Sequence, residues 1–303
     1  MEANGSSPWI VDANDRGSRP GRRSANSYEC GVTETVSDHQ IATTQINIPV
    51  APRDLDRIAD LVRSSERMSV FTGAGISTES GIPDYRGPDG VWARQAIPHI
   101  DTIRTDRATR IEHWRERRQR YPEMLARVPN AGHDAVARFE AGGHLLAIIT
   151  QNIDGLHQKA GNSDDRVIEL HGATHLIRCT ECDREFSGLV IQKRLESGEE
   201  DPHCVVCGGT LRTGTVLFGE RLPERALRSA FAVAKTTDLM LVVGSSLVVN
   251  PAARLPVIAK EHGARLVIVN QSPTPLDEIA DFRIGAGAGE VLSGIAQRVF
   301  AEE

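Results

Sequence analysis

The stretch Met68-Ser69-Val70-Phe71-Thr72-Gly73-Ala74-Gly75-Ile76-Ser77-Thr78-Glu79-Ser80-Gly81 decides how the rest of the chain is read. A short apolar run, MSVFT, leads straight into G-x-G. That order suits a nucleotide loop of an α/β sheet. Gly73 and Gly75 would let backbone N–H groups approach a diphosphate, and the residues after Gly75 could start a helix whose N-terminus favours anions. The third glycine, Gly81, comes too late for the G-x-G-x-x-G spacing of a dehydrogenase. A lone G-x-G fits a plain tight turn equally well.

Working outward, the runs HLLAIIT (144–150), RVIEL (166–170), DLMLVVG (238–244), RLVIVN (265–270) and DFRIGA (281–286) are short and rich in Val and Ile. Strands covered on both faces of a parallel sheet read this way. Helical spacing separates several of them. In PRDLDRIADLVRSSER (52–67), Leu55, Ile58, Ala59 and Val62 fall on one face behind a first-turn proline. Asn250-Pro251 is expected to open another helix and Gly263 to close it. The expected fold is α/β, a doubly wound, mostly parallel Rossmann-like sheet with an inserted small zinc-binding module and a helical insertion. Residues 1–47, rich in Ser, Asn, Gly and Thr, read as a disordered tail. The core is expected over about 48–100, 130–171 and 212–303. The helical insertion takes about 101–129 and the metal module about 172–211.

A net charge of −6 gives no general reason for binding nucleic acid or an anionic membrane. No apolar run approaches the ~20 residues of a membrane span. The N-terminal stretch lacks the apolar core of a secretory signal. Its Arg and Ser content is that of a mitochondrial transit peptide, but Glu2, Asp12 and Asp15 oppose that reading. A cytoplasmic location is expected, with the mitochondrial matrix as the alternative. The oligomeric state is not indicated.

Of five cysteines, Cys30 lies in the tail and four form two pairs, Cys179-x-x-Cys182 and Cys204-x-x-Cys207, with 21 residues between them. Two such knuckles converging on one ion give tetrahedral Cys₄ coordination, and thiolates select zinc over hard cations. Four protein ligands leave no open position, so the zinc is expected to be structural, stabilising a piece too small for its own core. His203 is a neighbouring alternative ligand. A zinc ribbon can also bind nucleic acid, but the module's charges are mixed and Phe186 is its single aromatic residue.

Three further strands end in polar clusters: Gln151-Asn152-Ile153-Asp154, Gly244-Ser245-Ser246 and Asn270-Gln271-Ser272. In open α/β sheets the ligand crevice lies at those ends. The first loop also runs on through GIPDYRGPDGVW (81–92), long and punctuated by Gly and Pro, as binding segments often are. Arg86 within it is a cation suited to a phosphate or carboxylate. Four converging polar ends point to a dinucleotide site.

Together GAGIS, GIPDYRG, TQNIDGLH, ELHG, the two cysteine pairs, VLFGE, GSSL and the VN of RLVIVN resemble the sirtuins, the NAD-dependent protein lysine deacylases. The motifs stand in the family's order over roughly residues 50–300. Their wording is most similar to the branch with the mitochondrial lipoamidase-type members. The resemblance makes 48–303 a sirtuin catalytic domain. It implies that NAD is consumed: the acyl oxygen of an acyl-lysine protein or peptide attacks the ribose as nicotinamide leaves, the acyl group passes to a ribose hydroxyl, and water releases O-acyl-ADP-ribose. Holding both reactants replaces a bimolecular encounter.

By that resemblance His171 is the catalytic base, for which a pKa near neutrality suits an imidazole. Asn152 and Asp154 match the nicotinamide pocket. Gly73, Ala74, Gly75, Ile76, Ser77, Asp84, Tyr85, Arg86, Trp92, Gln151, Asn152, Ile153, Asp154, Gly244, Ser245, Ser246, Asn270, Gln271, Ser272 and Ala288 match cofactor contacts. Val216, Leu217, Phe218, Gly219 and Glu220 match the segment that pairs with the substrate peptide as an added strand. Taken alone, each has a plainer reading: a strand-end hydrogen-bonder for His171, Asx turns for Asn152 and Asp154, a core strand for VLF.

Between Arg104 and Arg120 stand seven arginines and three acidic residues. The desuccinylating branch of the family reads an acyl carboxylate with Tyr-x-x-Arg in the corresponding helix. Alignment places Arg115-Glu116-Arg117-Arg118 there, so Arg118 matches and the tyrosine is missing. A solvated helix face and a deacetylase or general deacylase are the resulting expectation. Two other functions fit parts of the pattern: protein mono-ADP-ribosyl transfer from the same NAD site, and a non-enzymatic NAD sensor or zinc-ribbon adaptor.

Overall fold

The structure, a computed structural model, describes residues 50–84 and 98–301. Tyr85, Arg86 and Trp92, expected at the cofactor, lie outside those residues, as does the 1–47 tail.

Six strands form one parallel sheet: β1 (Met68–Thr72), β2 (Leu145–Thr150), β3 (Val167–Glu169), β7 (Leu239–Val243), β8 (Arg265–Val269) and β9 (Phe282–Ile284). Their spatial order is β3-β2-β1-β7-β8-β9, and every pairing is parallel. These are the six apolar runs of the sequence. Their continuity has a simple cause, since both faces are covered. Leu239, Leu241 and Val243 of β7 face one apolar cluster, with Ile58, Val62, Phe139 and Ile295. Met240 and Val242 face another, with Ala230, Ala234 and Leu255. The first layer is built by α1 (Pro52–Ser64), α4 (Ala131–Ala141) and α9 (Ala288–Val299). The second is built by α7 (Glu224–Thr236) and α8 (Arg254–Glu261). In α1 the buried residues are Leu55, Ile58, Ala59 and Val62, the expected stripe. Each large aliphatic side chain buried in this way contributes about 1.5–3 kcal/mol.

α8 departs from the expectation. Pro251 does not open it; Asn250-Pro251 sits in the preceding turn, where the Pro251 carbonyl accepts from Arg254 N (3.1 Å), and the helix starts at Arg254. Pro256 takes the first-turn position instead, where no intrahelical donor is needed. Gly263 does close the helix, at φ +92.

The remaining elements are inserted between strands. Helices α2 (Ile100–Thr105) and α3 (Arg107–Ala126) form the basic segment, and α5 (Leu156–Lys159) is a single turn after β2. Strands β4 (Leu176–Cys179), β5 (Glu185–Ser187) and β6 (Leu211–Thr213) form a separate antiparallel sheet in the order β5-β4-β6, carrying α6 (Gly188–Glu196). Trp114 of α3 is fully buried in the small core shared with Ile177, Cys179, Ile191, Leu195 and Cys204. A buried Arg110–Asp201 pair (3.1 and 3.0 Å) ties α3 to the loop before Cys204. The two insertions therefore share one core. Among the described residues no helix is long and apolar enough to cross a membrane.

The strand order reverses between β1 and β7, where α/β sheets form their ligand crevice. There the two strand ends pack backbone on backbone. Gly73 N–H donates to Val243 O (3.0 Å) and Gly75 N–H to Gly244 O (2.8 Å). A Cβ on Gly75 would lie 2.6 Å from Gly244 Cα; one on Gly244, at φ +62, would lie 2.3 Å from Ile76 N. We expect Gly244→Ala to cost about 2–4 kcal/mol, combining backbone strain and overpacking. Gly263→Ala, also at positive φ but facing open space, should cost about 1–2 kcal/mol. Urea denaturation of both variants checks this; equal losses would mean that the loop crossing adds nothing beyond the dihedral.

Candidate active site

The glycine loop answers the sequence expectation only in part. Both glycine amides are already bonded to the neighbouring strand end, so they are not the donors expected for a diphosphate. No α-helix follows Gly75 either: the chain makes two short 3₁₀ turns, Ala74–Ile76 and Thr78–Ser80. Ile76 points into the core. What the glycines provide is a flat meeting of two backbones at the crevice floor.

Side chains from the β2 end gather above that floor. The Asn152 amide, 5 % exposed, donates through Nδ2 to Gly73 O (3.2 Å) and Ser77 Oγ (3.0 Å). Its Oδ1 is buried with no protein partner among the described residues. The buried Ser77 hydroxyl donates to Asp154 Oδ2 (2.8 Å), whose other oxygen accepts from Leu156 N (2.9 Å). Thus Ser77 joins the β1 loop to both Asn152 and Asp154. Below them Thr72 Oγ1 donates to Thr150 Oγ1 (2.8 Å) and lies 3.0 Å from His157 Nε2. His157 packs edge-on against His133, their centroids 5.2 Å apart. Burial, and then the neighbouring His133, push His157 down to about 3. It is therefore neutral and structural at physiological pH.

His171 follows β3. Its Nδ1 stands 2.8 Å from the Gln151 carbonyl oxygen. A carbonyl can only accept, so Nδ1 carries the proton and Nε2 of the neutral ring keeps its lone pair. Burial lowers the His171 pKa below the ordinary histidine value, and the bond to Gln151 opposes this in part. At neutral pH the ring is an uncharged, oriented base. Gln151 also reaches β7 through Nε2 to Ser245 Oγ (2.8 Å). The loop after His171 is anchored to the β2 end, because Thr174 N and Oγ1 both donate to Ile153 O (3.0 and 2.8 Å).

The other expected residues fall into groups. Gly244, Ser245 and Ser246 close the crevice beside Gly73. Asn270 stands at the β8 end, its Nδ2 donating to Ser272 O (2.7 Å), with Gln271 and Ser272 exposed. Ala288 is buried as the first residue of α9. Asp84 is the last described residue of the first loop and is half-buried. Val216 to Glu220 form no regular strand. Val216 N donates to His171 O (2.8 Å), Phe218 is half exposed and Glu220 is half-buried. Arg118 is exposed on α3. Its buried neighbour Arg117 stacks on Tyr121 at 3.9 Å and donates to Thr174 O (3.1 Å).

Several supporting residues carry no sequence signal of their own. Glu79 Oε1 accepts from Gly289 N (2.9 Å), fixing the start of α9 against the glycine loop. Asn130 Nδ2 donates to Ile76 O (2.8 Å) and Ser80 Oγ (3.0 Å). Glu169, two residues before His171, lines a cavity of about 420 Å³ with Asp154, Asp164 and His175. Burial pushes its carboxyl up to about 7.

In the small module, Cys179 Sγ lies 3.4 Å from Cys207 Sγ and Cys182 Sγ 3.8 Å from Cys204 Sγ, with all four sulfurs within 4.8 Å of one another. A zinc tetrahedron with bonds of about 2.3 Å spaces its sulfurs by roughly 3.8 Å, so the tetrad fits that ion. Gly209 N–H points at Cys207 Sγ (3.4 Å), as suits a thiolate acceptor. Among the described residues these four sulfurs form the group that could hold an ion.

The model of the Sir2 family matches residues 73–251. The chain is 45 % identical over 234 residues to NAD-dependent protein deacetylase 2 of Streptomyces coelicolor, covering 75 % of this chain and 95 % of that one. It is 44 % identical over 242 residues to NAD-dependent protein deacylase 2 of Pyrobaculum aerophilum, covering 80 % and 94 %. Among solved structures, a Sir2 protein with a deacetylated p53 peptide and 3′-O-acetyl ADP-ribose superposes with a TM-score of 0.72 at 40 % identity, covering 81 % and 96 %. Sequence, strand order and cysteine tetrad agree: the chain belongs to the Sir2 family.

Proposed function

We propose that this chain is an NAD-dependent protein lysine deacylase, removing acetyl or related acyl groups from lysine in proteins and peptides. The observation that carries the reading is the oriented His171 imidazole. It sits beside the Asn152–Ser77–Asp154 cluster at the sheet's reversal point, in a chain of the Sir2 family.

NAD, consumed as co-substrate, supplies an electrophilic ribose carbon and nicotinamide as leaving group. The protein's own contribution is positional and acid–base. Asp154, fixed by Ser77 and Leu156 N, presents carboxylate acceptor capacity to a carboxamide NH₂. The unpartnered Asn152 Oδ1 is left to accept from the ribose or from water, a buried acceptor that would otherwise be costly. Gln151, Ser245 and Ser246 take the ribose and phosphates, and Asn270 and the Ala288 backbone take the adenosine end. His171 Nε2 accepts the ribose hydroxyl proton that must leave as that hydroxyl attacks the acyl carbon. Main-chain groups of Val216 to Gly219 hold the peptide as an added strand, which admits many sequences. The Cys₄ tetrad holds a structural zinc, which supplies no Lewis acid to the cleft. Exposed Arg118, without a tyrosine at the Tyr-x-x-Arg position, favours uncharged acyl groups over succinyl. A cytoplasmic location goes with this reading.

We expect His171→Ala to keep NAD affinity within about two-fold and to lower deacylation by at least 10²-fold, the usual contribution of a positioned base. Isothermal titration and an acetyl-lysine peptide assay measure the two. Mass spectrometry of the products separates the rival chemistry, since ADP-ribosylated protein with its acyl-lysine intact would point to ADP-ribosyl transfer. The pH profile has a definite sign. His171 acts deprotonated and its pKa lies below the ordinary histidine value, so kcat/KM should rise with pH and reach half its plateau below about pH 6.5. A midpoint above that value would contradict the assignment. Metal analysis should find one zinc per chain. Strong chelation should unfold the small module and, through the core it shares with α3, abolish activity; finding no zinc would refute the site.

A further inference from the structure

The segment Val216–Glu220 is held from below by a partly buried ion pair that begins in the metal module. Arg212 lies in β6, the last strand of the small sheet. Its Nη2 lies 2.8 Å from Glu220 Oε1, and the two side chains are 11 and 14 % exposed. Its Nη1 donates to Thr213 O (2.7 Å) and Thr215 O (3.1 Å). The second oxygen of the carboxylate, Glu220 Oε2, accepts from Leu217 N (2.9 Å). The guanidinium thus grips the chain entering the segment, and the carboxylate grips its middle.

Four other contacts complete the cradle. Val216 N donates to the backbone oxygen of His171 (2.8 Å), and Phe218 O accepts from Ile100 N (3.0 Å). The Leu217 side chain is buried between Ile100 and Ile103 of α2. Gly219, at φ +85, lies against the His99 ring, where a Cβ would come within 2.1 Å of Nε2. All four hold the segment from the sheet and α2. The ion pair ties it to the module that carries the cysteines.

We infer that Arg212 and Glu220 are positioning residues for the acyl-peptide: the pair fixes the backbone of Val216–Gly219 in the geometry that main-chain pairing with the substrate needs. This rests on the deacylase reading above. It also gives Glu220 a different task from meeting the peptide, because both its oxygens are engaged within the fold and its charge is met by Arg212. Main-chain recognition depends on where a few N–H and C=O groups point, so losing the clamp should weaken peptide binding while leaving the NAD side of the crevice intact. It also connects the metal to the reaction without placing it there: the tetrad orders β6, β6 carries Arg212, and Arg212 sets the docking segment.

The test uses the full-length, zinc-loaded protein with an acetyl-lysine peptide. Wild-type turnover with nicotinamide release comes first; its absence would remove the deacylase reading rather than the clamp, which anisotropy with a labelled peptide would still probe. In Glu220→Gln and Arg212→Met, KM and Kd for the peptide should rise roughly five- to ten-fold, about one net hydrogen bond. KM for NAD should stay within two-fold and zinc at one per chain. Should either single variant fail to fold, the neutral double variant Arg212→Gln with Glu220→Gln, which removes both partly buried charges together, should fold and recover part of the peptide affinity. Adding lysines beside the acetyl-lysine should change affinity equally for wild type and Glu220→Gln. Peptide and NAD constants shifting together, or an unchanged peptide KM, would overturn the inference, as would a salt-sensitive preference for basic flanks lost in Glu220→Gln.

Discussion

Everything at the site depends on two strand ends meeting without side chains between them. Gly73 and Gly75 lie directly against Gly244, so the ends of β1 and β7 sit closer than any side chain would allow. The meeting occurs where the strand order turns back on itself. The gap left above it is the crevice that the polar strand ends surround. Because both glycine amides are spent on this contact, the loop is a rigid floor. Specificity falls to the side chains above it: Ser77, Asn152, Asp154, Gln151 and Ser245. A buried network of this kind is costly when half satisfied, and the single orphan among these side chains, Asn152 Oδ1, is the acceptor the proposed chemistry would use.

The His171 imidazole is held by the same scaffold. β2 delivers the Gln151 carbonyl, β3 delivers the ring, and the bond between them leaves one tautomer and one open nitrogen. Thr174 then pins the following loop to Ile153, tying the two polar clusters together. The metal module stands outside this arrangement. Its contribution is mechanical: a core shared with Trp114, a buried Arg110–Asp201 tie, and the Arg212–Glu220 pair reaching to the proposed docking segment.

Much of this was legible in the chain, for identifiable reasons. The six strands could be read because burial on both faces leaves continuous Val and Ile runs that few helices of that length would carry. The cysteine pairs could be read because metal-ligand spacing is local. The roles proposed for His171 and Asp154 rest on the ELHG and TQNID motifs, since neither spacing nor composition marks a base. The misreadings share a cause. Gly73 and Gly75 resemble phosphate-loop glycines, yet the partner that requires them, Gly244, is far along the chain. Asn250-Pro251 has the form of a helix start, but the turn there consumes it before Arg254. Glu79, Asn130 and Arg212 were invisible because their partners, Gly289, Ile76 and Glu220, are set by tertiary structure.

The most direct test of the account is a crystal structure of the zinc-loaded protein with a non-hydrolysable NAD analogue and an acetyl-lysine peptide. The account predicts the nicotinamide ribose between Asn152 and His171, with Nε2 within hydrogen-bond reach of a ribose hydroxyl. It also predicts the peptide backbone paired to Val216–Gly219. A dinucleotide bound away from the Gly73–Gly244 floor, or a ribose out of reach of His171, would contradict it.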